Sequence, residues 1–305
     1  MNGMASDVTV VITCFNQAAT IRQSVESAFA QTCAPARVIV VDDASDDIET
    51  KEILSVLEKE PAVEVIARSC NSGVSAARNT GLSRVTTPFV VILDGDDLLE
   101  PGYIEATRAE LSSDEKVFAA SSWMKTFGAL TATVKPTGGN ILPFLCRNCA
   151  PATCMFRVSV LRQSGGYDES MRKGFEDWDC CLSLFETFGV DNLQSRVSIV
   201  QKPLIRYRTA PASSNIVSMN SRLDLLRYLI GKHQDLYSNH LENAILGFEK
   251  TSIDRLALFE ATVKNNPQII ENCDAVRSFM DSPSFGDGGM AAAVRIESKN
   301  ARENS

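Results

Sequence analysis

The chain has 305 residues, 44% hydrophobic and 22% charged, with a formal net charge of −8 and a pI near 5.0. That predicts one large soluble domain with an appendage, and the acidic balance argues against a nucleic-acid partner, whose phosphates require clustered cations. The longest apolar run, VTVVIT at 8–13, is far short of the roughly 20 residues of a membrane span. The N-terminal MNGMASD lacks the basic start of a secretory signal. The expected location is the cytoplasm, with peripheral contact at the inner face of a membrane left open. Among the cysteines, Cys146 and Cys149 make one CxxC and Cys180 and Cys181 are adjacent, with no matching Cys or His at zinc spacing. Reduced thiols are expected.

Strand-type and helix-type segments alternate through the first 120 residues. VTVVIT (8–13) precedes ATIRQSVESAFA, whose Ile21, Val25, Ala28 and Phe29 follow helical spacing. RVIVV (37–41) precedes a helix with Ile53, Leu54 and Leu57 on one face. VEVIA (63–67) precedes GVSAARNTGL, and FVVIL (89–93) precedes PGYIEATRAEL, read as a helix opening at Pro101. Continuous Val/Ile runs separated by helices predict a parallel sheet covered on both faces. Ligands of such sheets bind beyond the carboxyl ends of the strands. Thr13–Asn16, Asp42–Asp47, Asn71–Gly73 and Asp94–Asp97 all follow strands and should converge on one edge. From 121 to 210 the pattern loosens into short mixed elements; after Asn215 it reads as helical, and the last twenty or so residues have little to bury.

The first strand ends in TCFNQAA, without the glycines of a dinucleotide fingerprint or a P-loop. A phosphate must therefore be held by other means. Asp94, Asp96 and Asp97 crowd the end of the fourth strand, and carboxylates side by side resist ionisation unless a cation joins them. A hard divalent ion, Mn²⁺ or Mg²⁺, takes one or two carboxylates and completes its shell with phosphate oxygens and water. An acidic chain can thus bind an anionic nucleotide. The plainer alternative is a solvated turn complementing the next helix dipole.

Five segments in order carry a family resemblance: 10-VVITCFNQAATIRQSVESAFAQT-32, 40-VVDDASDD-47, 71-NSGVSAARNTGL-82, 92-ILDGDDLLEPGYI-104 and 176-EDWD-179. Together they resemble the family 2 inverting glycosyltransferases of GT-A fold, over about residues 8–210. The resemblance implies an α/β architecture, a Rossmann-like mainly parallel sheet flanked by helices, with a C-terminal helical appendage. It implies transfer of a sugar from a nucleotide-diphosphate donor, UDP-sugar favoured, to an acceptor hydroxyl of a glycan, polymer or lipid-linked intermediate. Thr13 to Phe15 would border the nucleobase, with Thr13 where the family usually has Pro and the Phe15 ring against the base; core packing of Phe15 is the alternative. Asp43 would accept the imide N–H of uracil, or cap the next helix. Asn71 and Gly73 would shape the loop under the nucleotide. Arg78 would reach the diphosphate, or make a surface ion pair. Asp96 would ligate the metal, and Asp94 would hold the ribose or a metal-bound water. Asp177 would be the general base, with Glu176 and Trp178 on the acceptor side; two acids complementing a helix dipole is the alternative.

One departure is Ala210, where many relatives carry a His that can complete the metal shell. His233 and His240 fall in the helical appendage and are expected at the surface. The expected organisation is 1–215 for the transferase domain (1–120 nucleotide half, 121–215 acceptor half), 216–282 for the appendage, whose helices could form a homo-oligomer, and 283–305 for a disordered tail. Two rivals stand beside this reading. One is a catalytically inactive nucleotide-sugar-binding module, and the other a nucleotidyltransferase, which would need a basic Gly-rich loop after the first strand.

Overall fold

The structure, a computed structural model, describes residues 7–210 and 218–303, with side chains through residue 298. Two compact units divide the chain, Met1–His240 and Leu241–Ser305. The first is built on β1 (Val8–Cys14), β2 (Arg37–Asp42), β3 (Val63–Ala67) and β4 (Phe89–Asp94), parallel in the order β3-β2-β1-β4. Every residue of β1 is buried, as a strand covered on both faces requires. On one face α1 (Ile21–Phe29) and α2 (Ile48–Leu57) bring Ile21, Val25, Leu54 and Leu57 onto Val10, Ile12, Val38 and Val40. On the other, α3 (Val74–Arg84) lies against Val11 and Val41 through Gly81.

The sheet continues as β4-β8-β6-β9-β5 through β5 (Leu98–Leu99), β6 (Val117–Gly128), β8 (Met155–Arg157) and β9 (Arg196–Thr209), with β7 (Thr133–Val134) paired to β6. It is a mixed sheet, since β8 is antiparallel to β4 and β6 while β9 is parallel to β6. The long β6–β9 pair replaces the short elements expected from sequence. Its register is irregular around Ser122 and Trp123, opposite the stretch that contains Pro203, so the apolar alternation that marks a strand is broken there. The fourth helix also starts later than expected: β5 intervenes, and α4 (Tyr103–Ser113) begins after Gly102, whose φ is 93°.

Shorter helices α5 (Ile141–Phe144) and α6 (Val158–Gln163) precede α7 (Glu176–Glu186), α8 (Arg222–Lys232) and α9 (Gln234–Asn239). The last two correct the expected domain limits. The 215/216 boundary lies in residues 211–217, outside the described residues, but the first unit extends to His240. The cause is packing, because the Tyr237 hydroxyl donates to the Leu145 carbonyl and Leu229 and Leu236 are buried. The second unit comprises α10 (Leu241–Asn265), α11 (Ile269–Asn272), α12 (Asp274–Asp281) and α13 (Gly289–Glu303). The helix α13 overturns the expectation of a disordered tail over its span. Ala292, Ala293 and Ile296 recur at helical spacing, and Ile296 joins Val263 and Val276 in a small core. Beside it Glu260 accepts from Lys264 and from Nε and Nη2 of Arg295. No helix among the described residues is long and apolar enough to cross a membrane.

Candidate active site

Strand register sets the site. Thr13 pairs with Asp94 and Cys14 with Asp42, so the polar ends of β1, β2 and β4 stand level. Three non-glycine residues with left-handed backbone among those described also stand at this edge: Asn16 (φ 53°) after β1, Ala44 (φ 62°) after β2, and Phe175 (φ 66°) opening α7. Such conformations cost about 1–3 kcal/mol each and concentrate at functional sites. Asn16 ties the first two loops together. Its amide N–H donates to Ser45 Oγ at 2.8 Å, and its side-chain oxygen accepts from the Asp46 and Asp47 amides at 3.1 Å.

A cavity of about 1120 Å³ opens beyond this edge. Asn71, Arg78, Asp94, Glu176 and Asp177 all line it, which unites one strand end, one loop and two helices. Their hub is Arg78, 1% exposed, which donates from Nη2 to Asp94 Oδ1 and from Nη1 to Glu176 Oε1, each at 2.9 Å. Its fork is engaged with two carboxylates in the cavity lining, and its burial excludes the surface ion pair that was the alternative. An Arg at this depth must be paired, and the planar fork suits two acids approaching from different elements.

Asp177 stands beside this bridge in the first turn of α7. Its Oδ2 accepts from Asn148 Nδ2 and its Oδ1 from the Trp178 amide, both at 2.8 Å. Burial, and then the neighbouring Glu176 carboxylate, raise its pKa to about 7. A carboxylate so poised is suited to accept a proton near neutral pH. Trp178 is a correction. It is 1% exposed, and its indole N–H donates to the Phe144 carbonyl at 2.6 Å, so it anchors α7 in the core and does not face the cavity.

Thr13 is buried within β1 with its hydroxyl toward Asp94 Oδ1 at 3.3 Å, so it supports Asp94 from behind and lies outside the cavity lining. Phe15 is 43% exposed, which excludes the core-packing alternative. Asp43 is 4% exposed and shapes the 72–73 loop. It accepts from the Gly73 amide at 2.7 Å and the Ser72 amide at 3.1 Å, and lies 3.0 Å from Arg68 Nε. Gly73 combines φ 94° with ψ 166°, a backbone conformation that only glycine adopts readily.

The carboxylates after β4 fit a hard cation. Asp96 has a raised pKa, from burial and then from Asp94, and Asp97 is pushed up to about 9 by the same causes. Arg78 on Asp94 and Arg208 beside Asp96 and Asp97 offset part of this charge, and a further cation would favour the ionised forms. Asp97 is not a free ligand, being 2% exposed with Oδ1 accepting from the Arg208 amide at 2.8 Å. No group of three or more His, Cys, Asp or Glu among the described residues forms a ready-made metal site. Asp94 lines the cavity, whereas Asp96 is half-buried and lies outside its lining; in a metal site these two would supply the oxygens, with phosphate and water for the rest. Gly95 between them admits no side chain: a Cβ would lie 2.5 Å from the Thr13 carbonyl oxygen and 2.3 Å from Gln17 Oε1.

The sequence profile of glycosyl transferase family 2 matches residues 9–165, more than half of the 305 residues. The chain belongs to this family. Among curated relatives, the pre-mycofactocin glycosyltransferase of Mycobacterium tuberculosis is 32% identical over 193 residues, covering 59% of this chain and 39% of the relative. An uncharacterized glycosyltransferase of Rickettsia felis is 27% identical over 203 residues, covering 63% and 33%. The chain thus matches between a third and two-fifths of the length of these relatives. The crystal structure of S. aureus TarS residues 1–349 in complex with UDP-GlcNAc superposes with a TM-score of 0.55 at 16% identity, covering 95% of this chain and 88% of that one. This likeness establishes the GT-A type of fold.

Several residues that brace this site carried no sequence signal. Asn148 lies in an irregular loop, and nothing local marks it as the partner of Asp177. His233 is a correction: it is 0% exposed, 3.0 Å from Asp179 Oδ1 through Nε2 and 3.0 Å from Glu186 Oε1 through Nδ1. Lys232 joins Asp179 Oδ2 at 2.8 Å and Asp168 Oδ2 at 2.7 Å. Asp179, on the side of α7 away from Asp177, is therefore a buried anchor for the helix that carries the expected base. His240 is half-buried and bonds the Val190 carbonyl at 2.8 Å through Nε2.

Proposed function

We propose that the chain is an inverting, metal-assisted glycosyltransferase that takes a sugar from a UDP-sugar and passes it to an acceptor hydroxyl of a glycan, polymer or lipid-linked intermediate. One observation carries this reading: Asp94 and Glu176 grip opposite arms of the buried Arg78, in the same cavity as Asp177. That bridge supports the reading because it brings Asp94, the carboxylate expected on the donor side, together with Glu176, the neighbour of the expected base Asp177, as direct displacement at an anomeric carbon would require. Phe15 and the Asp43 end of β2 would receive the base, with Asn71 and Gly73 beneath the nucleotide. Asp94 and Asp96 would hold Mn²⁺ or Mg²⁺, which when bound neutralises charge on the departing diphosphate.

Asp177 takes the acceptor proton as the new bond forms. The Asn148 amide keeps one of its oxygens in place, and Arg78 fixes Glu176 beside it. The experiment is a donor panel scored for free nucleoside diphosphate and for pyrophosphate, with and without Mn²⁺. UDP release that depends on metal and acceptor supports the transferase reading. Pyrophosphate would favour a nucleotidyltransferase, and tight UDP-sugar binding without turnover would favour a binding module.

A further inference from the structure

Charge is segregated along this chain. Residues 116–167 contain no Asp or Glu and six Lys and Arg, in a protein whose acids outnumber its Lys and Arg 38 to 30. Three of the six are engaged with the protein itself. Arg157 donates to the carbonyls of Val117 and Asp114, Arg162 to those of Leu82 and Val85, and Lys116 to Gln194. Lys125 is exposed on β6 and lies outside the cavity lining.

The remaining two, Lys135 and Arg147, are exposed and line the large cavity. They stand on one wall, because the Gly138 amide donates to the Cys149 carbonyl at 2.9 Å and ties the segment after β7 to the 147–150 loop. Lys135 lies over the Trp123 ring at 4.6 Å, which steadies its stem. Arg147 adjoins Asn148, whose side chain holds Asp177 at 2.8 Å. Among the described residues neither cation has an ion pair with a carboxylate. The wall therefore faces the cavity with two unmatched positive charges, close to the base. Arg172 occupies a different place: it donates to the Asn71 carbonyl at 3.0 Å, on the nucleotide side.

We propose, resting on the transferase reading above, that the acceptor is anionic, and that Lys135 and Arg147 hold a phosphate or carboxylate group that it carries near the reacting hydroxyl. A neutral sugar gives such cations nothing to neutralise, whereas an anionic oxygen group satisfies both a point charge and a guanidinium fork. The wall also offsets the repulsion such an acceptor meets from Glu176 and Asp177.

The test uses the full chain saturated with UDP and Mn²⁺, so that the nucleotide site is already filled. Binding of glucose 6-phosphate, glucuronate and glucose is measured by calorimetry; turnover of UDP-sugar with each as acceptor is followed separately, with Mn²⁺ and no added UDP. The expected result is affinity for the phosphate or the carboxylate at least about tenfold above that for glucose, the worth of one charge-assisted hydrogen bond. The preferred anion names the group. That advantage should shrink as salt rises, since the Debye length falls from about 10 Å at 0.1 M to about 3 Å at 1 M. The double variant Lys135→Ala with Arg147→Ala should abolish it while leaving UDP affinity intact, and Lys51→Ala on α2 should leave both unchanged.

Equal binding of the three compounds overturns the proposal. So does a double variant that loses UDP affinity, which would assign the cations to the donor diphosphate. Failure of the wild-type chain to bind UDP at all instead removes the underlying transferase reading.

Discussion

Asp179→Asn replaces a charged oxygen by an amide nitrogen where the protein is closed on every side. Asp179 is 0% exposed, with one oxygen 2.8 Å from Lys232 Nζ and the other 3.0 Å from Nε2 of the equally buried His233. An asparagine has one acceptor and one donor end, so one of the two cations would face an N–H. Breaking a buried ion pair from one side costs about 3–5 kcal/mol. Lys232 keeps Asp168 at 2.7 Å and His233 keeps Glu186 at 3.0 Å, which favours the lower end. At about 2–4 °C per kcal/mol for a unit of this size, a loss near 3 kcal/mol lowers the melting temperature by roughly 6–12 °C.

The effect also has a pH signature. Burial alone would lower the His233 pKa, but the hydrogen bonds to Asp179 and Glu186 outweigh it and raise the value above 6.5. A raised folded-state pKa contributes stability that is fully present below the unfolded pKa and is lost as pH climbs through the folded one. Asp179→Asn should therefore cost more at low pH and less once His233 is neutral in both proteins. The assay is thermal unfolding by circular dichroism below and above that window. A shift under about 2 °C throughout, or one that grows with pH, would refute the network's role.

Asp177→Asn should retain UDP affinity and lower turnover by roughly 10²–10⁴, the usual worth of a general base. In the wild type kcat/KM should rise with pH and level off above about 7, because the base works deprotonated; a profile that falls over this range would exclude Asp177. Phe15→Ala removes a ring that is 43% exposed, so melting should scarcely change. Stacking on a base is worth about 1–3 kcal/mol, so UDP affinity should fall roughly 5- to 150-fold by calorimetry. Gly95→Ala sets a Cβ 2.5 Å from the Thr13 carbonyl oxygen. Such overpacking should cost about 1–3 kcal/mol in thermal unfolding, with donor affinity falling as the Asp94–Asp96 turn shifts.

What the sequence determined by itself was the parallel half of the sheet. The Val/Ile runs of β1, β2 and β4, separated by helices, specify buried parallel strands, because a strand covered on both faces has no polar face to display. Their polar ends then had to meet at one edge, because parallel neighbours in register end side by side. Tertiary structure alone decided the partners of Arg78, which joins Asp94, 16 residues away, to Glu176, 98 residues away. It decided as well that Asn148 steadies Asp177, that Trp178 belongs to the core, and that His233 and Lys232 brace α7 from a segment that looked like an appendage. The physical reason is range. Periodicity reports which face of a segment is buried, but not what buries it, and a buried charge is recognised only when its distant counter-charge is in place.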